Sequence, residues 1–127
     1  MTNPFEDQER FMLACDQTVA EENIPQYQLY LSLINEEAKE LVDAIKASDK
    51  QEQLDALIDI LVVTIGAIHS MGADAEGAWS EVMFTNFAKI DDVTGKVNKR
   101  SDGKILKPKD WEGPKLEQYL QRKLEDE

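Results

Sequence analysis

Residues 27 to 45 place Tyr27, Tyr30, Leu31, Ile34, Ala38, Leu41 and Ile45 at steps of three and four. Over about five turns that spacing keeps one apolar stripe on one side of an α-helix, and it fits no strand. Asn23 and Pro25 start the helix: a short polar side chain can cap free backbone N–H groups, and proline fits the first turn. The polar "SDK" at 48 to 50 ends it near Ala47. The next segment, 51 to 71, carries Leu54, Leu57, Ile58, Leu61, Val62, Ile65 and Ile68 on one side, with Ile60 and Val63 adding apolar surface opposite. A helix apolar all round needs cover on both sides. In a chain of 127 residues the second cover is expected from another protomer, as a homodimer or a dimer of dimers.

The flanking segments complete an all-α reading. Phe5, Met12, Cys15 and Val19 predict a short first helix over about 5 to 16. Gly72 stops the third helix, and Asp74 can cap a fourth running to about Asp91, with Ala75, Trp79, Val82, Met83 and Ile90 inward and Asn86 on the same stripe. Gly95, Gly103, Pro108, Gly113 and Pro114 then punctuate too often for a helix, so 92 to 115 reads as a long loop. "LEQYLQRKLEDE", 116 to 127, reads as a short closing helix. The fold class is therefore all-α: one domain, a bundle of about four main helices with its core over about 23 to 91, completed by dimerisation.

Charge divides the chain. The formal net charge is −12, which disfavours nonspecific binding to nucleic acid or anionic lipid. Residues 1 to 88 hold 17 Asp and Glu against 4 Lys and Arg, whereas residues 89 to 115 hold 5 against 8. An acidic body followed by a basic loop can bind cations with the first and phosphates with the second. The N-terminus has no apolar run of signal-peptide type, and the apolar stretch from Ile60 to Ile68 is far short of a membrane span. The expectation is a cytoplasmic protein with neither a nucleic-acid nor a membrane partner. Cys15 is the single cysteine; it cannot form an internal disulfide and reads as a small buried side chain in a reducing compartment.

The acid is concentrated where it can do chemistry. In "INEEAKELVDAI", 34 to 45, Glu36, Glu40 and Asp43 share a stripe, and Glu37 adjoins it three residues before Glu40. Like charges at this spacing repel by a few tenths of a kcal/mol per pair, and Lys39 and Lys46 are too few to neutralise them. A solvated acidic face would tolerate that. Glu36, Glu37 and Glu40, however, border the packing face beside Ile34, Ala38 and Leu41, and partly buried carboxylates need a cation. On the next helix Asp55 and Asp59 are one turn apart, and Glu52 lies on nearly the same stripe. Antiparallel pairing would bring Glu36, Glu37 and Glu40 opposite Asp59, with or without Asp55. An all-oxygen set of this kind suits Mg2+ or Mn2+; with one Cys, one His and no Glu-x-x-His pattern, it suits neither zinc nor a di-iron centre.

Four stretches carry a resemblance: "EEAKEL" at 36 to 41, "DALIDILVVTIG" at 55 to 66, "AWSEVMFTNFAKID" at 78 to 91 and "GKVNKRSDGKILKPKDW" at 95 to 111. Together they resemble the all-α nucleoside triphosphate pyrophosphohydrolases, the MazG-like and phosphoribosyl-ATP pyrophosphohydrolase-like superfamily. The resemblance implies Mg2+-dependent hydrolysis of a nucleoside triphosphate to monophosphate and pyrophosphate, of the nucleotide-pool house-cleaning kind. Glu36, Glu37 and Glu40 match the family's Glu-Glu-x-x-Glu segment, and Asp59 matches the last residue of its Glu-x-x-Asp segment. Ala56 stands where that pattern has Glu, so either Asp55 or Glu52 substitutes, or fewer metals bind. One of Glu36 and Glu37 is the implied general base.

The resemblance also suggests that Asn86 and Lys89 face the phosphates or the metal cluster. Of the loop lysines, Lys104 and Lys107 are the candidates to fold over the triphosphate, and Trp111 either stacks on a base or pins the loop. His69 reads as a core or interface residue. Two other readings stay open: phosphoribosyl-ATP as the substrate, or a silent helical nucleotide-binding or protein-interaction module whose activity was lost at Ala56.

Overall fold

The computed structural model describes residues 2–123. Four helices follow in order, α1 Pro4–Ala14, α2 Ile24–Lys46, α3 Lys50–Ser70 and α4 Ala75–Phe87, and then a 3-10 turn at Glu117–Tyr119. Among the described residues there is no strand, only isolated bridges between Ile90 and Val97 and between Lys99 and Ile105. The chain forms two compact units, one running to Ala75 and resuming at Tyr119, the other spanning Glu76–Gln118.

Helix starts follow their caps. The Asn23 side chain accepts the Gln26 N–H at 3.1 Å, and Asp49 accepts the Glu52 N–H at 3.1 Å, each satisfying an otherwise free donor of the first turn. Between α2 and α3 the reversal takes only a few residues, with Ser48 at φ 53. The two helices therefore pack antiparallel along their length. Three contacts set their register: Gln26 Nε2 donates to Ser70 Oγ at 2.8 Å, the Tyr30 ring lies against Gly66, and Gln53 Nε2 donates to the Ala44 carbonyl at 3.4 Å. This register carries Glu37 to the level of Asp59. Helix α1 packs on α3: Met12 joins Tyr30 and Ala67 in the core, and His69 Nε2–H donates to the Phe5 carbonyl at 2.9 Å. His69 is buried, as expected of a core residue.

The packed faces match the stripes that periodicity singles out in part: Tyr27, Tyr30, Ile34 and Leu41 of α2 and Val62, Ile65 and Ile68 of α3 turn inward, and the rest do not. On α2 the buried side runs through Tyr30 and Ala44, with Tyr27, Ile34, Glu37 and Leu41 half-buried; Leu31, Ala38 and Ile45 are exposed. On α3 the buried residues are Ala56, Ile65, Gly66, Ala67, His69 and Ser70, with Ile60, Val62, Val63 and Ile68 half-buried, while Leu54, Leu57, Ile58 and Leu61 are exposed. Small residues let the helix axes approach closely, so the tight contact forms on the Ala, Gly and Ser side and leaves the large aliphatic row outside. Helix α3 is long and apolar enough to cross a membrane by length and composition, as an inner helix flanked by two neighbours also is.

Other expectations need correction. Cys15 is exposed, because α1 ends at Ala14 and turns only Gln8 and Met12 fully inward. Helix α4 stops at Phe87 rather than Asp91, and Trp79 and Ile90 are exposed. The Asp91 carboxylate accepts the Val93 and Thr94 N–H groups, an Asx turn that competes with helix continuation. Of the closing helix expected over 116 to 127, only the turn at Glu117–Tyr119 forms, and 124 to 127 lie outside the described residues. The Asp74 N–H bonds the Tyr119 carbonyl at 2.9 Å and the Arg122 N–H bonds the Gly72 carbonyl at 2.7 Å, so this segment's backbone is committed to the bend after α3.

Candidate active site

In the first unit, α2 and α3 bring acid together at mid-length. Glu37 stands on the packed side of α2, and its Oε2 is sealed from solvent with no hydrogen-bond partner. Its carboxyl is pushed up to about 7, first by burial, then by the neighbouring Glu40 carboxyl and the charges of Asp59 and Asp55. Asp59 is raised for the same reasons, burial first and then the charges of Asp55 and Glu40. Glu37, Glu40, Asp55 and Asp59 thus lie in one another's field.

That grouping separates the two candidate replacements for the missing Glu. Asp55 acts on both Glu37 and Asp59, while Glu52 lines a neighbouring cleft of about 290 Å³ with Glu40, Asp43 and Asp49. Ala56 is buried between the helices. Glu36 is exposed and is not among the groups that raise the Glu37 carboxyl.

Among the described residues no three Asp, Glu, His or Cys side chains stand in closed ligating geometry, so the cluster is open. Its chemistry nonetheless fits a hard divalent cation: the donors are all oxygen, one of them is a buried orphan, and the carboxyls repel one another. A cation there would turn each of these costs into an attraction.

The second unit gathers the other candidates. Lys89 Nζ donates to Asn86 Oδ1 at 3.2 Å and stands 4.9 Å from the Trp111 ring centroid. Lys107 Nζ stands 5.0 Å from the same centroid. Trp111 Nε1 donates to the Thr85 carbonyl, in the last turn of α4, at 2.6 Å. Beside this group a cleft of about 460 Å³ opens between Phe84 and Thr85 on one side and Pro108 to Glu112 on the other. Four of the five residues assigned to the substrate therefore meet.

Lys104 lies elsewhere, at a tight turn. Its backbone N–H donates to Asp102 Oδ1 at 3.1 Å, its carbonyl accepts the Arg100 N–H at 2.7 Å, and Arg100 pairs with Asp102 at 2.5 Å. Sequence reasoning missed Thr85, which acts through its backbone carbonyl and so leaves no mark in the residue pattern. Asn86 and Lys89 were legible through the family resemblance, and the structure brings them together at the end of α4.

A family model described as phosphoribosyl-ATP pyrophosphohydrolase matches residues 10–86, a span that takes in the whole carboxylate cluster. Among curated proteins, none matches the chain.

Proposed function

The chain belongs to the phosphoribosyl-ATP pyrophosphohydrolase family and is a MazG-like, all-α hydrolase of phosphoric anhydrides; on that premise we propose that it cuts a nucleoside triphosphate between the α- and β-phosphates. The products are a nucleoside monophosphate and pyrophosphate. The observation that carries this reading is the buried, unpartnered Oε2 of Glu37 amid Glu40, Asp55 and Asp59.

In this reading Glu37, Glu40, Asp55 and Asp59 would hold Mg2+, with Mn2+ as an alternative. When bound, the cation neutralises phosphate charge and makes the attacking water more acidic. Glu36, exposed beside the cluster, accepts the proton of that water, and Glu37 serves as a ligand. Asn86, Lys89, Lys104 and Lys107 supply donors and positive charge for phosphate oxygens, tasks that need no covalent intermediate. The enzyme clears nucleotides from the cytoplasmic pool as a homodimer or dimer of dimers, whose contact uses the exposed row Leu54, Leu57, Ile58 and Leu61 of α3.

Phosphoribosyl-ATP is the second reading, favoured by the description of the matching family. Pyrophosphate release is the test, measured on ordinary and deoxy triphosphates and on phosphoribosyl-ATP, with and without Mg2+, and repeated with Glu40→Gln. Metal-dependent release that Glu40→Gln abolishes is expected; the preferred substrate decides between the readings. No metal-dependent release from any substrate would overturn both and leave a silent binding module.

A further inference from the structure

Trp111 is held at three points, all within residues 76–118. Its Nε1–H is spent on the Thr85 carbonyl, and its ring is approached by both Lys89 and Lys107 at about 5 Å. An indole whose donor is used and whose π surface already faces ammonium groups is poorly suited to stacking a base. It is well suited to gathering the lysines.

The geometry limits how far apart those lysines can be. With centroid distances of 4.9 and 5.0 Å, the two Nζ atoms are at most about 10 Å apart. Neither forms an ion pair with a carboxylate among the described residues. Glu112, at the edge of the adjoining cleft, pairs instead with Lys115 at 3.2 Å. Lys89 spends one of its three N–H donors on Asn86. In a chain of net charge −12, two ammonium groups kept off carboxylates and collected on one ring are available to an anion. A cation–π contact is weaker and less directional than a charge-assisted hydrogen bond, so each ammonium can stay by the ring while turning its remaining donors to phosphate oxygens.

Resting on the pyrophosphohydrolase reading above, we propose that Trp111 is a positioning residue that gathers Lys89 and Lys107 into a two-ammonium site for the pyrophosphate end of the substrate, and for pyrophosphate after the cut. Two adjacent phosphoryl groups can engage both ammonium groups at once. A single orthophosphate spans less, so the site distinguishes the two anions.

The test uses the full chain carrying Trp79→Phe, which leaves Trp111 as the sole indole; Trp79 is exposed. Its emission is followed in EDTA during titration with pyrophosphate and with orthophosphate. A saturable change is expected, at least about 10-fold tighter for pyrophosphate, and weakened about 10-fold or more by Lys89→Gln or Lys107→Gln. By calorimetry, Trp111→Leu should weaken pyrophosphate binding similarly and Trp111→Phe should restore most of it. In turnover, Trp111→Leu should raise KM and relieve pyrophosphate inhibition with little effect on kcat.

Emission that ignores pyrophosphate, or wild-type pyrophosphate affinity in Trp111→Leu, would overturn the inference; should that variant not fold, the emission titration and Lys107→Gln decide alone. Pyrophosphate binding through Trp111 in a protein that hydrolyses no triphosphate would sink only the functional reading. Hydrolysis without it would sink only this inference.

Discussion

The Tyr30 ring lies directly on Gly66, and a Cβ added to Gly66 would stand 2.6 Å from Tyr30 Cδ1 and 2.7 Å from Cζ. Tyr30 cannot easily move away, because it is buried and its hydroxyl donates to Gln17 Oε1 at 2.5 Å. Gly66→Ala gains about 0.5–1 kcal/mol of helix propensity but overpacks this contact by about 1–3 kcal/mol. The expected net is a destabilisation of about 1–2 kcal/mol, read as a thermal midpoint lower by roughly 3–10 °C. An unchanged or higher midpoint would mean that α2 and α3 do not meet through this pair.

Glu37 makes metal-free stability depend on pH in a defined direction. Its folded-state carboxyl is raised from 4.5 to about 7, so between those values the folded protein binds more protons than the unfolded chain. This stabilising contribution is fully present below about pH 4.5 and is lost as pH rises through about 7. Asp59, also raised, acts in the same sense. In EDTA, Glu37→Gln should therefore melt higher than the wild type at pH 8, with the difference shrinking towards pH 4.5. Adding Mg2+ at pH 8 should raise the wild-type midpoint and leave Glu37→Gln nearly unmoved. Melting curves across pH for the two proteins check both statements.

How much of this was legible in the sequence depended on the kind of contact. Helices α2 and α3 were, since a period near 3.6 is written in single residues, and so was the pairing of Glu37 and Glu40 with Asp59, which follows from a short reversal. The face that α2 buries was legible through Tyr27, Tyr30, Ile34 and Leu41, but the face that α3 buries was legible only at Val62, Ile65 and Ile68. Apolar residues surround much of α3, and the choice falls to Ala56, Gly66, Ala67 and Ser70, whose effect is to let another helix come close. Trp111 could be suspected, yet its anchor is the Thr85 carbonyl, and every residue has a carbonyl. The segment after Leu116 has the composition of a helix, but the Tyr119 carbonyl and the Arg122 N–H are bonded to Asp74 and Gly72, a tertiary demand that local pattern does not carry.

Glu36 and Glu37 should separate kinetically. Glu36 is exposed and Glu37 carries the sealed oxygen, so the first can take a proton while the second holds the cation. Glu36→Gln should lower kcat about 100-fold or more with little change in the Mg2+ concentration needed. Glu37→Gln should raise that concentration about 10- to 100-fold. Mg2+ titrations of the rate, with cation binding measured independently by calorimetry, distinguish the two. The reverse pattern would exchange their roles.

Cys15 offers a direct check on α1. It is exposed at the end of that helix, so a thiol reagent should label the native protein to one equivalent, without denaturant and with the thermal midpoint unchanged. Labelling that requires unfolding would show that the α1 terminus is covered in solution.

The aliphatic row on α3 bears on assembly. Leu54, Leu57, Ile58 and Leu61 are 61%, 48%, 50% and 57% exposed on the single chain, and they form one surface because they recur at helical spacing. Fully burying such a side chain contributes about 1.5–3 kcal/mol, so four from each protomer give a strong drive to pair. Light scattering at micromolar concentration should report a dimer or a tetramer. Leu57→Asp combined with Leu61→Asp should shift it towards monomer while circular dichroism keeps its helical signal, since neither residue packs inside the chain. A wild-type monomer at that concentration would refute self-association through this face.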